Sequence, residues 1–206
     1  MARRPLELPF ERAVAALARR PGFWWLDSAR PDGRLGCFSF AGCAPSATLR
    51  VRAGRAHLEG PEAPAAARVL ARAAGGAGPL AALRALRPPP PADAEDLAGW
   101  PFLGGLVGAF GYELGAALDP VPVAAGVGED APELVFHRAD ALVAHDHARD
   151  RTLALALGTG EDLASARTAA AARLRALVGD VGVGADWPRA AAPSAGGPAL
   201  DAVPGL

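Results

Sequence analysis

Two apolar runs separated by a four-residue turn restrict this chain more than any other feature. Residues 133 to 146 carry Leu134, Val135, Phe136, Leu142 and Val143, and residues 152 to 157 read Thr-Leu-Ala-Leu-Ala-Leu. Between them His147, Ala148, Arg149 and Asp150 read as the turn, followed by Arg151. A connection that short joins antiparallel neighbours, because a parallel pair needs a crossover of a dozen residues or more. The expectation is one long strand over 133–146, a tight turn, and a returning strand. The clearest helix follows at 161–178. Leu163, Ala166, Ala170, Leu174 and Leu177 share one of its faces, and Glu161 and Asp162 stand at its start, where the helix dipole favours negative charge.

The first half of the chain repeats this alternation of helices and hairpins. A helix is predicted over 9–20, with Phe10, Val14 and Leu17 on one face and Pro21-Gly22 as its stop. Phe23 to Leu26 reads as a short buried strand. The Arg30-Pro31-Asp32-Gly33-Arg34 turn brings the chain back into a strand over 35–40. Thr48 to Val51 alternates as a half-exposed strand does and ends in a turn at 52–55. Helices over 64–74 and 79–87 are joined by the glycine-rich loop 75–78 and followed by Pro88 to Pro91, which force an extended linker, and by an acidic loop over 92–98. Leu103 to Phe110, rich in glycine, reads as a close-packed central strand. Residues 112–118 suit a helical turn or two, and 119–132 a loop. The fold class is therefore α+β, with antiparallel sheets built from hairpins and packed with helices. One domain over 1–180 and a linker or tail over 181–206 are expected.

Composition excludes several chemistries. The 21 basic residues are all arginine, so no lysine serves as nucleophile, Schiff-base former or phosphate-loop cation. The formal net charge is -1 and the arginines are scattered, so no basic face for nucleic acid is expected. No apolar run reaches the length of a membrane span, and no signal-like segment opens the chain, so a cytoplasmic protein is expected. Cys37 and Cys43 read as reduced thiols without metal partners.

Motifs that look catalytic read more plainly as structure. The glycines from Gly104 to Gly115 lie inside a strand rather than between a strand and a helix, so they do not make a dinucleotide loop. His145-Asp146-His147 puts two imidazoles on one strand face, yet a solvated hairpin end is the better reading without a third ligand. No serine lies in a nucleophile elbow. Asp27-Ser28 ends the aromatic strand Phe23-Trp24-Trp25-Leu26, and with Phe38 and Phe40 on the neighbouring strand it is a core strand end or one wall of a small pocket.

As a set, these segments resemble the amino-terminal region of component I of the anthranilate and aminodeoxychorismate synthases, enzymes that use chorismate. Phe23-Trp24-Trp25-Leu26-Asp27-Ser28-Ala29 is similar to the family's strand ending in Glu-Ser or Asp-Ser. Phe38-Ser39-Phe40-Ala41-Gly42-Cys43-Ala44-Pro45 is similar to its aromatic-Ser-Phe-x-Gly-x-x-Pro strand. Pro101 to Gly108, continuing through Gly111-Tyr112-Glu113-Leu114, resembles its Gly-Gly-x-x-Gly-x-x-Gly-Tyr-Asp/Glu block, and Ala139 to His147 the strand after it. Order and spacing agree from about residue 5 to residue 178. Ala109 departs from a frequent aromatic, and Ala116-Ala117 stand where many members carry Arg.

The resemblance implies a non-catalytic role for these residues, closest to aminodeoxychorismate synthase component I in para-aminobenzoate and folate synthesis, with the anthranilate branch or a stand-alone tryptophan-binding module as alternatives. The family's carboxy-terminal chorismate-binding domain, with its Mg²⁺ ligands and catalytic residues, finds no counterpart in the sequence, so no catalytic residue and no resident cofactor are expected here. The implied partners are that domain, a glutamine amidotransferase subunit and L-tryptophan. The implied half-pocket is Leu26, Asp27, Ser28, Phe38, Ser39 and Phe40. Gly104, Gly105, Gly108, Gly111, Tyr112 and Glu113 form the structural motif.

Overall fold

The computed structural model describes residues 1–28, 36–52, 55–73, 79–91, 97–112, 114–115 and 132–182. The elements in chain order are β1 (Ala2–Leu6), α1 (Phe10–Leu17), β2 (Trp24–Leu26), β3 (Phe38–Gly42), β4 (Thr48–Arg52), β5 (Arg55–Glu59), α2 (Ala63–Ala73), α3 (Pro79–Leu86), β6 (Gly105–Phe110), β7 (Leu134–Ala139), β8 (Ala141–Asp146), β9 (Arg151–Ala156) and α4 (Leu163–Gly182). They form two antiparallel sheets. One has five strands in the order β1-β9-β8-β3-β2, the other four in the order β5-β4-β7-β6. The α+β class read from the hairpins is the class observed.

The expected strand over 133–146 is two strands in different sheets. β7 pairs with β4 and β6, β8 pairs with β3 and β9, and the chain passes between the sheets at Asp140. The apolar run is unbroken by Gly or Pro, so nothing in its periodicity marks the crossing. What marks it is charge. Asp140 is 3% exposed, accepts hydrogen bonds from Ser46 Oγ and from Arg138 Nε at 3.2 Å, and lies 4.0 Å from Arg173 of α4. Glu62, ahead of α2, pairs with both arginines. Two carboxylates and two guanidiniums thus clamp the corner to a helix of each layer. Such a buried cluster fixes geometry more than it adds stability, but losing one member leaves the others uncompensated.

Strand alternation sorts the five-stranded sheet into two cores. Ala41, Val143 and Ala154 face α1 and α4, where they meet Phe10, Ala13, Val14, Leu17, Leu177 and Val181. The opposite face carries Trp24, Phe40, Leu142, Ala144, Leu153 and Leu155, covered by Leu97, Trp100, Phe102 and Leu103. In the four-stranded sheet, Leu49, Val51 and Leu134 pack with Ala66 of α2 and with Leu86 of α3.

Three further expectations change. β6 is an edge strand, not a central one, and Gly108, Ala109 and Phe110 are exposed. Its glycines still serve close approach: a Cβ added at Gly108 would meet Val135 O and stand 2.7 Å from Phe136 Cα, and Gly104, at φ 124, leaves 2.9 Å to Ala139 O. In β2 only Trp24 is buried, whereas Trp25 and Leu26 are 41% and 48% exposed. Leu163, placed on the apolar face of the last helix, is exposed at its first turn. Strands β1 and β5 carry no apolar alternation, which is why no strand was expected there: their burial runs from exposed to half-buried throughout. The turns 30–34 and 75–78, residues 119–131, Glu113 and the tail from 183 lie outside the described residues.

Candidate functional site

The antiparallel register of β2 on β3 sets Leu26 opposite Phe40, so the chain leaves the sheet edge at Asp27 and Ser28 beside Phe38 and Ser39. Alternation then divides the six residues of the expected half-pocket. Phe38 and Phe40 stack at 6.3 Å on the aromatic face, with Trp100 5.6 Å from Phe38 and Phe102 5.6 Å from Phe40. Ser39 points to the helix-covered face and is fully buried. What joins the two sides is the backbone at the corner. Ser28 donates its N–H to Ser39 Oγ at 2.9 Å and its hydroxyl to Phe38 O at 2.5 Å. Ser39 Oγ also lies 3.0 Å from Asp27 Oδ1 and 2.8 Å from His147 Nε2. Leu26 and Asp27 remain exposed, with Ser28 and Phe38 half-buried. A ligand at this corner therefore meets a carboxylate, an apolar side chain and an aromatic edge, while the Ser39 hydroxyl is already committed.

His145-Asp146-His147 is not the solvated hairpin end the sequence suggested. The two imidazoles meet edge to face at 4.6 Å, and the ring of His145 stacks on Phe10 at 5.4 Å and shares a hydrogen bond of 3.0 Å with Thr152 Oγ1. Burial, and then the neighbouring His147, hold His145 below its ordinary pKa. Asp146 is 4% exposed. Burial alone would raise its pKa, yet hydrogen bonds from the Arg149 side chain and backbone and from Ala148 N–H outweigh that and hold it low. The tight turn is built by this carboxylate, with Asp150 at φ 47 closing it, a conformation Asp tolerates better than most residues. The sequence carried the two histidines but not their link to Ser39, which is 108 residues away from His147.

Beside the corner, the Trp24 ring lies on Gly42, where an added Cβ would stand 2.6 Å from Cζ2. Its Nε1 is buried and has no hydrogen-bond partner among the described residues. Among the described residues no three His, Cys, Asp or Glu side chains are placed to hold a metal ion. No helix among them is long and apolar enough to cross a membrane.

Two antiparallel sheets bridged at a charged corner, with helices on one side of each, define the class: an α+β domain of the kind found in anthranilate synthase component I. The likeness is to the crystal structure of that protein from Streptococcus pneumoniae, with a TM-score of 0.50 and 16% identity, covering 73% of this chain and 30% of that one. At that identity it speaks for the fold. In sequence, 57 residues are 46% identical to anthranilate synthase component 1 of Streptomyces coelicolor, 28% of this chain and 11% of that protein. No protein-family profile matches the chain. Over part of its length, then, the chain is similar to anthranilate synthase component I, and it spans less than a third of either relative.

Proposed function

We propose that these residues form the amino-terminal, non-catalytic part of aminodeoxychorismate synthase component I, which turns chorismate and glutamine-derived ammonia into 4-amino-4-deoxychorismate. The observation that carries the reading is the fold likeness to a component I chain over 73% of this one. The order of the four motif segments from Phe23 to His147 supports it. A second reading has its own support: both named relatives are anthranilate synthases, which favours anthranilate as the product. In either case a chorismate-binding domain supplies catalysis and any Mg²⁺, a glutamine amidotransferase supplies ammonia, and the work is done in the cytoplasm.

The Asp27-Ser28 corner is the proposed half-site for L-tryptophan. Leu26 and Phe38 give the indole apolar contact, and Asp27 takes the ammonium. One charged hydrogen bond is worth about 1.5–3 kcal/mol, so half a site should bind at about millimolar or weaker. The test is co-expression with a component I chorismate-binding domain and a glutaminase subunit, followed by product analysis. Aminodeoxychorismate is the expected product, and anthranilate establishes the second reading. Turnover of chorismate by the 206 residues alone overturns the non-catalytic role, and micromolar tryptophan binding by them alone favours a stand-alone sensor.

A further inference from the structure

Counting protons on Ser39 gives a result that the motif alone does not. A serine hydroxyl has one proton to donate and two lone pairs to accept with. Ser39 Oγ is fully buried and has three partners: Ser28 N at 2.9 Å, Asp27 Oδ1 at 3.0 Å and His147 Nε2 at 2.8 Å. The Ser28 amide only donates and the Asp27 carboxylate only accepts, so the single Ser39 proton goes to Asp27. The remaining lone pair must then accept from His147, and Nε2 must carry a hydrogen. The Nδ1–H tautomer would offer Ser39 a bare Nε2 instead. Two acceptors would compete for one proton, and either the Asp27 or the His147 contact would open.

We propose that His147 is a positioning residue: from the β8–β9 turn it donates through Ser39 and thereby orients the Asp27 carboxylate and the Ser28 amide at the edge of β2. This deepens the reading of that corner as a ligand site, and rests on that reading only for its consequence in binding. Two anchors hold His147 in place without its Nε2. Its backbone N–H donates to Cys37 O at 2.9 Å, and its ring stands against His145 at 4.6 Å. The side chain is thus delivered to Ser39 by the turn that Asp146 builds.

The experiment uses the full chain, labelled with nitrogen-15. The ring spectrum of His147 at pH 8 should show Nε2 protonated and Nδ1 bare, and the opposite tautomer overturns the proposal. Exchange of the Ser28 amide with solvent gives a second readout. His147→Leu should speed it about tenfold, the loss of roughly one hydrogen bond's worth of protection. His147→Gln, whose side-chain amide can donate to Ser39, should recover most of that. Unchanged exchange in His147→Leu, or equal loss in Leu and Gln, overturns the proposal. The wild-type tautomer decides the matter even where a variant folds poorly. Tryptophan titration is the third readout: weaker binding in His147→Leu and recovery in His147→Gln are expected. If the wild type binds no tryptophan, the ligand reading of the corner fails, and the tautomer and exchange results still decide the role of His147.

Discussion

In the five-stranded sheet, β8 turns Val143 toward α1 and α4 and Leu142 and Ala144 toward the aromatic layer, and all three are fully or almost fully buried. In the four-stranded sheet, β4 turns Leu49 and Val51 inward to α2 and α3 and sends Arg50 and Arg52 outward. One sheet is packed on both faces along its length; the other is packed on one, with its far face covered only toward the end where Val107 and Ala139 join the aromatic layer and Thr48 is buried. A sheet covered on both faces spells near-continuous apolar strands, and a sheet covered once spells alternation. The two differ in what they tolerate. Substitution of Arg50 or Arg52 on the outer face of β4 meets water, whereas no face of β8 offers that freedom.

The strongest way to break the comparison is at the corner that joins the two sheets. Asp140→Ala removes a carboxylate that Arg138 and Ser46 contact directly and leaves two guanidiniums near the clamp with Glu62 alone. The expected loss is about 3–5 kcal/mol in urea unfolding, typical of breaking a buried ion pair on one side. Arg50→Ala, on the outer face with its side chain 44% exposed and 3.8 Å from Glu59, should cost no more than about 1 kcal/mol. Equal losses would show that the corner is no more constrained than the surface.

A smaller effect separates the covered faces. Gly42→Ala places a methyl group on the Trp24 ring, 2.6 Å from Cζ2, and should destabilise by about 1–3 kcal/mol. Neutral behaviour would mean that the Trp24 ring moves freely, and that the aromatic face is less tightly packed than the helical one.

How far the sequence disclosed this architecture follows from the same contrast. Helices α1 and α4, the β8–β9 hairpin and the β2–β3 pair each carry a period and a stop, and those were legible. The division at Asp140 was not, because one apolar run serves two sheets and only a tertiary ion cluster marks the boundary. β1 and β5 were missed because each is an edge strand with few buried side chains. The corner at Asp27-Ser28 was visible as a motif. The Ser39–His147 hydrogen bond was not, since it spans 108 positions and depends on where the β8–β9 turn lands.

A depressed histidine in each sheet lets pH probe the pair. His137 of β7 and His145 of β8 both sit below the ordinary 6.5. Burial is the chief cause in each, reinforced by Arg50 for His137 and by His147 for His145. Glu59 opposes the shift at His137, and Asp150, Glu11 and Asp146 oppose it at His145. A histidine depressed in the folded state takes its proton more readily when unfolded, so stability rises with pH across the window. The contribution is fully present above 6.5 and is lost as pH falls from there through the lower folded value. Melting temperature should decline from pH 7.5 to 5. His137→Gln and His145→Gln should each flatten the curve in part, and a curve unaffected by either change would place both rings in water.

The finest test leaves stability untouched and asks whether the helical face ever opens. Cys43 is buried against α1 and α4, and its thiol is pushed up to about 11, by burial first and then by Asp180, with Arg20 pulling the other way. At pH 8 about one Cys43 in a thousand is then a thiolate, the form that reacts with iodoacetamide. Cys37, just ahead of β3, is half-buried and so more accessible to the reagent. Native labelling should therefore modify Cys37 well before Cys43, with both reacting once urea unfolds the chain. The Arg20–Asp180 pair, 2.5 Å apart, ties the loop after α1 to the last turns of α4 and closes that face near Cys43. Arg20→Gln removes both this tie and the one charge that favours the thiolate. Faster native labelling of Cys43 in that variant would come from opening, since the charge change alone slows it. Slower labelling would show that the two helices stay shut without the pair, and that apolar packing alone keeps this side of the sheet dry.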